Sequence, residues 1–212
     1  YPNIKPNIFA LSDGIIEAYS KVNVPKEKLF LTPNGLDNSE YRFVDKPKYP
    51  DRSICIGKIE DRKKQYFLQG IDSLWFAGNI ADNRFNKNKN YLGELPKSKI
   101  KTDLTEYGNL VLVSDGEVHP RVCTEALAAG LGVVISECGI ANLDLDKEFI
   151  TVIPDSKIND LEYIQTQTIR NRDFSIRNRH AIIDYARQFD WSNIIEKYYL
   201  PSIQKVRSNY DS

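Results

Sequence analysis

The sequence predicts an α/β protein, a parallel sheet flanked by helices, and three observations carry that prediction. Short apolar runs at 53–57 (SICIG), 109–114 (NLVLVS) and 133–135 are bounded by polar residues, the pattern of strands buried on both faces. Between the last two lies a helical repeat: Val122, Ala126 and Ala129 share one face, with Cys123 and Leu127 beside them. Pro120 suits the first helical position, where a missing N–H costs nothing, and Gly130 and Gly132 end the helix. Strand, polar loop, helix and strand over 109–136 make one βαβ crossover.

The remaining elements follow in order. Residues 8–20 (IFALSDGIIEAYS) read as a short strand and a helix, with Ser12 or Asp13 available as N-cap. A strand at 29–32 closes on the turn Pro33-Asn34-Gly35. Polar, proline-punctuated 38–52 reads as a linker or surface loop. After the strand at 53–57 comes the charged run KIEDRKKQ, and 64–70 leaves room for barely two helical turns before the strand at 73–78. Lysine- and asparagine-rich 79–90 reads as an exposed loop. A short helix within 96–107 exposes Lys97, Lys99 and Lys101, a solvated face or a weak peripheral contact with an anionic membrane. A loop at 137–148, a strand at 149–153 ended by Pro154, and helices at 159–169 and 174–188 lead into the tail RQFDWSNIIEKYYLPSIQ.

Composition sets bounds on function. With 41% hydrophobic and 27% charged residues and a formal net charge of zero, the 212 residues suit an ordinary globular domain rather than a nucleic-acid binder. No apolar run reaches the length of a membrane span and no signal peptide opens the chain, so a cytoplasmic protein is expected. Cys55, Cys123 and Cys138 lack metal-ligand spacing and read as buried free thiols. The chain begins at Tyr1 and contains no methionine, as expected of a processed, trimmed or partial polypeptide. There is no phosphate loop of the Walker type and no GxGxxG. With only His119 and His180, a Ser-His-Asp hydrolase has little material, and His180 reads as structural or exposed.

Chemistry concentrates at the loop-to-helix turn, which Glu117 and Glu125 bracket with seven residues between them. A helix N-terminus favours a phosphate. Glu125 sits about 7 Å along that helix, at ~1.5 Å per residue, within reach of a ribose diol attached to such a phosphate. Glu117, in the loop, faces whatever hangs from the other side. The arrangement suits a nucleoside diphosphate carrying a sugar. His119 lies between Glu117 and the helix, placed either to donate to a phosphate or sugar hydroxyl or as a plain loop histidine.

Here the residues resemble a family. The E-x7-E spacing, the helix TEALAAG and the strand VVIS are similar to the donor half of family 4 retaining glycosyltransferases of the GT-B fold. The passage from 8 to 37, ending in LTPNGLD, resembles the crossing from first to second domain. The tail resembles the family's closing helices, including the turn Phe189-Asp190-Trp191. The resemblance implies a Rossmann-like parallel sheet as the C-terminal half of a GT-B enzyme. It divides the chain into 1–37 (end of the first domain and hinge), 38–188 (nucleotide-sugar-binding domain) and 189–212 (closing helix). It assigns Glu117 to the donor sugar as the catalytic carboxylate and Glu125 to the ribose. Lys58, Lys63 or Lys64, and the helix start at Pro120, Arg121 and Val122 take the diphosphate, with His119 beside them. Lys58 stands where the family has arginine, a point charge in place of a bidentate fork. Tyr91-Leu92-Gly93-Glu94 resembles the strand and turn beside the base.

The implied function is metal-independent sugar transfer from a nucleoside diphosphate sugar with retention, needing no cofactor. A glycan or lipid-linked acceptor would be bound mainly by an N-terminal domain. The chain alone is then expected to bind donor and transfer negligibly. Two rival readings stay open: a non-catalytic nucleotide-sugar-binding or scaffold domain, and a sugar-nucleotide epimerase of GT-B-like architecture.

Overall fold

A computed structural model of the chain describes residues 6–208. The first five residues of the predicted hinge segment and the last four of the predicted closing helix lie outside them. Strands β1 (Ile8–Ala10) and β2 (Leu29–Leu31) pair in parallel as a small separate sheet, with helix α1 (Asp13–Lys21) crossing between them. The main sheet holds β3 (Tyr49–Ile56), β4 (Leu74–Ala77), β5 (Tyr107–Leu112), β6 (Gly132–Ser136) and β7 (Ile150–Ile153). Its order is β4-β3-β5-β6-β7, with every neighbouring pair parallel.

Strand side chains alternate between faces, and both faces of this sheet are covered. Ile54, Ile56, Leu110, Leu112, Val133 and Ile135 join one apolar cluster with Ala126 and Leu127 of α4 (Arg121–Ala128). Cys55, Val111, Val113 and Val134 join the other, against Leu68 of the short helix α2 (Gln65–Leu68) and Ile164 of α5 (Leu161–Arg177). This explains why the strands read as continuous apolar runs. Cys55 and Cys123 are buried free thiols, burial pushing Cys55 up to about 12, whereas Cys138 is only half-buried, against expectation.

Several boundaries differ from the sequence reading, each for a physical reason. The strand expected at 53 begins at Tyr49, inside the segment read as linker. Its polar first turn pairs where Tyr49 meets Tyr107 at a ring separation of 5.5 Å, and the Arg52 guanidinium covers Tyr49 and Trp75 at 4.4 and 4.5 Å. For the same reason β5 starts two residues early, at Tyr107. Helix α5 runs through 170–173, between the two helices expected there, since Asn171 and Arg172 point inward. Asn171 accepts from Asn109 Nδ2 at 2.9 Å and donates to the carbonyls of Phe149 and Val133 at 3.0 and 3.2 Å. Helix α6 (Arg179–Ala186) then follows. Pro120 caps α4 instead of opening it. In the 79–90 loop, which is otherwise mostly exposed, Asp82 and Phe85 are buried, Phe85 lying edge-on to Phe76 at 5.4 Å.

The basic helix is α3 (Lys97–Asp103). Lys99 pairs with Asp103 at 3.6 Å and Lys101 with Glu40, which neutralises two of its three lysines. The closing segment is α7 (Trp191–Ile194), a π turn over Ile195–Tyr199, and α8 (Leu200–Ser208). Its turn docks on the Asn34-Gly35 turn. Leu36 N–H donates to Phe189 O at 2.9 Å, and Trp191 N–H donates to Leu36 O at 3.0 Å. A Cβ on Gly35 would lie 2.7 Å from the Trp191 ring, so only glycine fits. Among the described residues no helix is long and apolar enough to cross a membrane.

Arg179 holds the sheet's lower rim. Its buried guanidinium donates to Thr105 O at 2.7 Å, Val44 O at 2.9 Å, Ala129 O at 3.2 Å and Tyr107 O at 3.3 Å. Desolvation lowers its pKa to about 10, leaving it charged at neutral pH. Arg179→Ala strands several buried carbonyls, each costing about 1–3 kcal/mol. The expected loss is ~3–5 kcal/mol in urea unfolding; a loss below ~1 kcal/mol would contradict this role.

Candidate functional site

Chain order reverses between β3 and β5: β4 lies on one side of β3 and the next strand returns to the other. In open parallel sheets such a switch point opens a crevice beyond the C-terminal strand ends, where ligands bind. The loops that meet here are 57–64 after β3 and 113–120 after β5. Backbone crowding shapes the crevice floor. Gly78, after β4, has φ of +147°, and a Cβ there would lie 1.9 Å from Gly57 O.

Across the switch point the two loops are tied by charge. Arg62 meets Glu117 at 3.0 Å and Glu60 at 2.9 Å, and its guanidinium also donates to Ser114 Oγ at 3.2 Å and to Gly116 O. Lys63 approaches Glu117 at 3.7 Å, both side chains being largely buried at 13% and 12% exposure. Lys64, held left-handed at φ 50°, turns away to Asp115 at 3.0 Å. Asp115 N–H donates to Arg62 O at 2.8 Å, closing the clasp through the backbone. Sequence left Lys63 and Lys64 as alternatives; the fold sets Lys63 over Gly57, its Nζ 3.0 Å from where a Cβ would be. Lys58 is exposed and pairs with Glu60 at 3.6 Å.

The expected residues open onto three neighbouring cavities instead of one. Lys58, Gly57, Gly78, Glu94 and Leu95 line a space of about 370 Å³. Glu125 and Arg121 line one of about 420 Å³ with Tyr41 and Lys97, and Ile100 borders both. Glu117 lines a third, of about 450 Å³, between α1 and the β5–α4 loop. The turn at 91–94 thus flanks the crevice, joined to β4 by a single bridge between Phe76 and Tyr91. Val122 is half-buried and packs on the core. Glu125 sits in the second turn of α4, beside the Tyr41 hydroxyl; burial and then the Glu125 charge hold that phenol well above its ordinary pKa. A further cavity, of about 610 Å³, lies elsewhere, against α7 and the π turn.

His119 is neither exposed nor fully paired. Its Nδ1 lies 3.5 Å from Asn142 Nδ2, and its Nε2 is buried without a partner among the described residues. An accepting Nδ1 places the proton on Nε2. The exposed His180 instead meets Asp45 at 2.7 Å, outside the crevice.

The structure adds residues that the sequence reading missed. Arg62 sat in view inside the basic run, and the alternation of KIEDRKK alone gives no sign that it spans to Glu117. Tyr41 lay in a segment read as linker and carried no signal. Among the described residues no group of three or more metal-ligating side chains converges.

The fold and crevice define a class: a parallel α/β sheet flanked by helices, matching the C-terminal half of GT-B glycosyltransferases. Among solved structures, the lipopolysaccharide outer core galactosyltransferase WaaB superposes with a TM-score of 0.71 at 14% identity, over 92% of this chain and 60% of that one. Anabaena HepE in complex with UDP-glucose gives 0.71 at 15% identity, over 99% and 65%. Sucrose-phosphate synthase from Thermosynechococcus elongatus gives 0.68 at 18% identity, over 96% and 58%. The chain therefore spans less than two thirds of each of these structures, and at such identities the likeness is one of fold. No family model and no curated protein matches the sequence.

Burial first, and the Arg121 charge second, lower the His119 pKa below its ordinary value. The unfolded chain then takes up a proton before the folded one. Stability from this group is present above about pH 6.5 and lost as pH falls from there towards the folded pKa. An NMR titration should find the His119 ring neutral at pH ~6.5, and the stability advantage of wild type over His119→Asn should shrink between about pH 7 and 5. A ring already protonated at pH ~6.5 would contradict the buried placement.

Proposed function

We propose that this chain is the donor-binding part of a family 4 retaining glycosyltransferase, acting on a nucleoside diphosphate sugar without a metal. The observation that carries the proposal is the charged clasp at the switch point, which gathers Lys63, Arg62 and Glu117 ahead of the start of α4. Solved structures of the same fold with UDP or UDP-glucose bound support it. On this reading the base lies towards Leu95 and Glu94, in the cavity lined by Gly57 and Gly78. Glu125, oriented by Tyr41, accepts from the ribose hydroxyls. Lys58, Lys63 and the start of α4 at Pro120, Arg121 and Val122 face the diphosphate.

Transfer breaks the bond between the sugar's anomeric carbon and the diphosphate oxygen and forms one to an acceptor hydroxyl oxygen, whose proton passes to the departing diphosphate. Negative charge grows on the leaving phosphate, and fixed cations and helix N–H groups stabilise it most at that moment. Lys63 now neutralises Glu117; an incoming diphosphate draws that ammonium towards itself and frees Glu117 to accept from a sugar hydroxyl. Arg62 keeps the carboxylate in place meanwhile. His119, neutral and protonated on Nε2, is a donor for the phosphate or sugar. The acceptor, a glycan or a lipid-linked one, is bound mainly by the part of such enzymes that this chain does not span. A cytoplasmic setting suits a nucleotide-sugar donor, and Lys97 remains for a weak peripheral membrane contact.

Calorimetry with UDP tests the division of labour. Glu125→Ala should weaken UDP binding about tenfold or more, the value of a hydrogen bond to a charged group at ~1.5–3 kcal/mol, with Glu117→Ala having the smaller effect because UDP has no sugar beyond its diphosphate. The wild-type affinity should be unchanged in EDTA. Equal losses in both variants would refute the assignment, and affinity abolished by chelator would refute metal independence. Binding of the intact nucleotide sugar with no turnover in any longer form of the protein would favour a binding-only domain.

A further inference from the structure

The cavity of about 610 Å³ against the closing segment lies within the size range of ligand sites, and the proposed donor chemistry makes no use of it. Its walls come from the start of α1, the end of β2, the loop after β6 and the closing segment. Three carboxamides line it, and each is anchored by its NH₂ group to a backbone carbonyl. Asn142 donates to Leu11 O at 2.9 Å, Gln188 to Tyr185 O at 3.0 Å and Asn193 to Arg187 O at 2.7 Å. Their carbonyl oxygens accept no hydrogen bond from the described residues. Asp13 and Glu196 add two carboxylates, neither in an ion pair among the described residues.

The cavity therefore presents five side-chain acceptors and a single ammonium, Lys197, which rests 5.2 Å from the Tyr198 ring centroid. Such a lining disfavours phosphates and carboxylates, which bring only more acceptors. It favours a ligand rich in hydroxyl donors. Apolar surface from Leu31 and Tyr198 supplies the other half of the recognition, a wall for a C–H face. A saccharide has both, hydroxyls at its rim and C–H groups on its faces. Two backbone features mark the same place. The π turn that carries Glu196, Lys197 and Tyr198 is a geometry found often at functional sites, and Asn142 is held left-handed at φ 63°. Asn142 also reaches the proposed transfer centre, its Nδ2 lying 3.5 Å from His119 Nδ1.

We propose that this cavity is a saccharide-binding site, separate from the donor site of the transferase reading above. The test is saturation-transfer NMR on the whole chain with D-glucose, D-galactose, N-acetyl-D-glucosamine and lactose, with UDP binding measured in parallel. Transfer to at least one sugar is expected. It should weaken about fivefold per lost hydrogen bond in Asn193→Leu and in Glu196→Leu, while UDP affinity stays unchanged and so reports an intact fold. No transfer to any of the four sugars, or transfer undiminished in both variants that still bind UDP, would overturn the proposal. Sugar binding without UDP binding would uphold the cavity and sink the transferase reading; UDP binding without sugar binding would do the reverse.

Discussion

The structure turns on one electrostatic constraint, the pairing of the β3 loop with the β5–α4 loop across the switch point. Four cations, Lys58, Arg62, Lys63 and Lys64, stand against Glu60, Asp115 and Glu117 within that crevice. Exposed pairs of this kind contribute little to stability, about 0.2–1 kcal/mol each. The pair between Lys63 and Glu117 differs because both side chains are largely withdrawn from water, where charge interactions are screened less. The clasp thus fixes geometry more than it adds stability. It sets a carboxylate, an ammonium and a helix start at one point.

The two ends of the sheet divide the work. At the lower rim Arg179 and the pair of Asn109 and Asn171 satisfy buried carbonyls with short hydrogen bonds, leaving Asn109 Oδ1 and Thr168 Oγ1 buried without a partner among the described residues. At the upper rim the polar groups are only partly satisfied. His119 Nε2 has no partner among the described residues, and Glu125 lies beside the Tyr41 phenol.

Much of this was legible in the sequence. Buried parallel strands announce themselves as apolar runs, and the helix bearing Glu125 has a small-residue face that follows helical spacing. The two glutamates flanking the turn were placed correctly on loop and helix. What escaped was decided by tertiary contact. The polar residues of α5 mimic a loop because only the fold shows Asn171 and Arg172 facing the sheet. Tyr41 sits in a segment with no periodicity, and its partner is more than eighty residues away. The choice between Lys63 and Lys64 depends on one left-handed backbone at Lys64, which a non-glycine residue gives no reason to expect. The separate cavities for Glu117 and Glu125 follow from the path of the loop, and spacing alone suggested one.

Hydrogen–deuterium exchange with and without UDP tests the central claim most directly, because it reports where the nucleotide sits independently of any substitution. The account predicts slower exchange at the amides of 57–64 and 117–123, on either side of the switch point, with the lower rim around Thr105 and Arg179 unchanged. Protection confined to other parts of the chain, or none at saturating UDP, would contradict it.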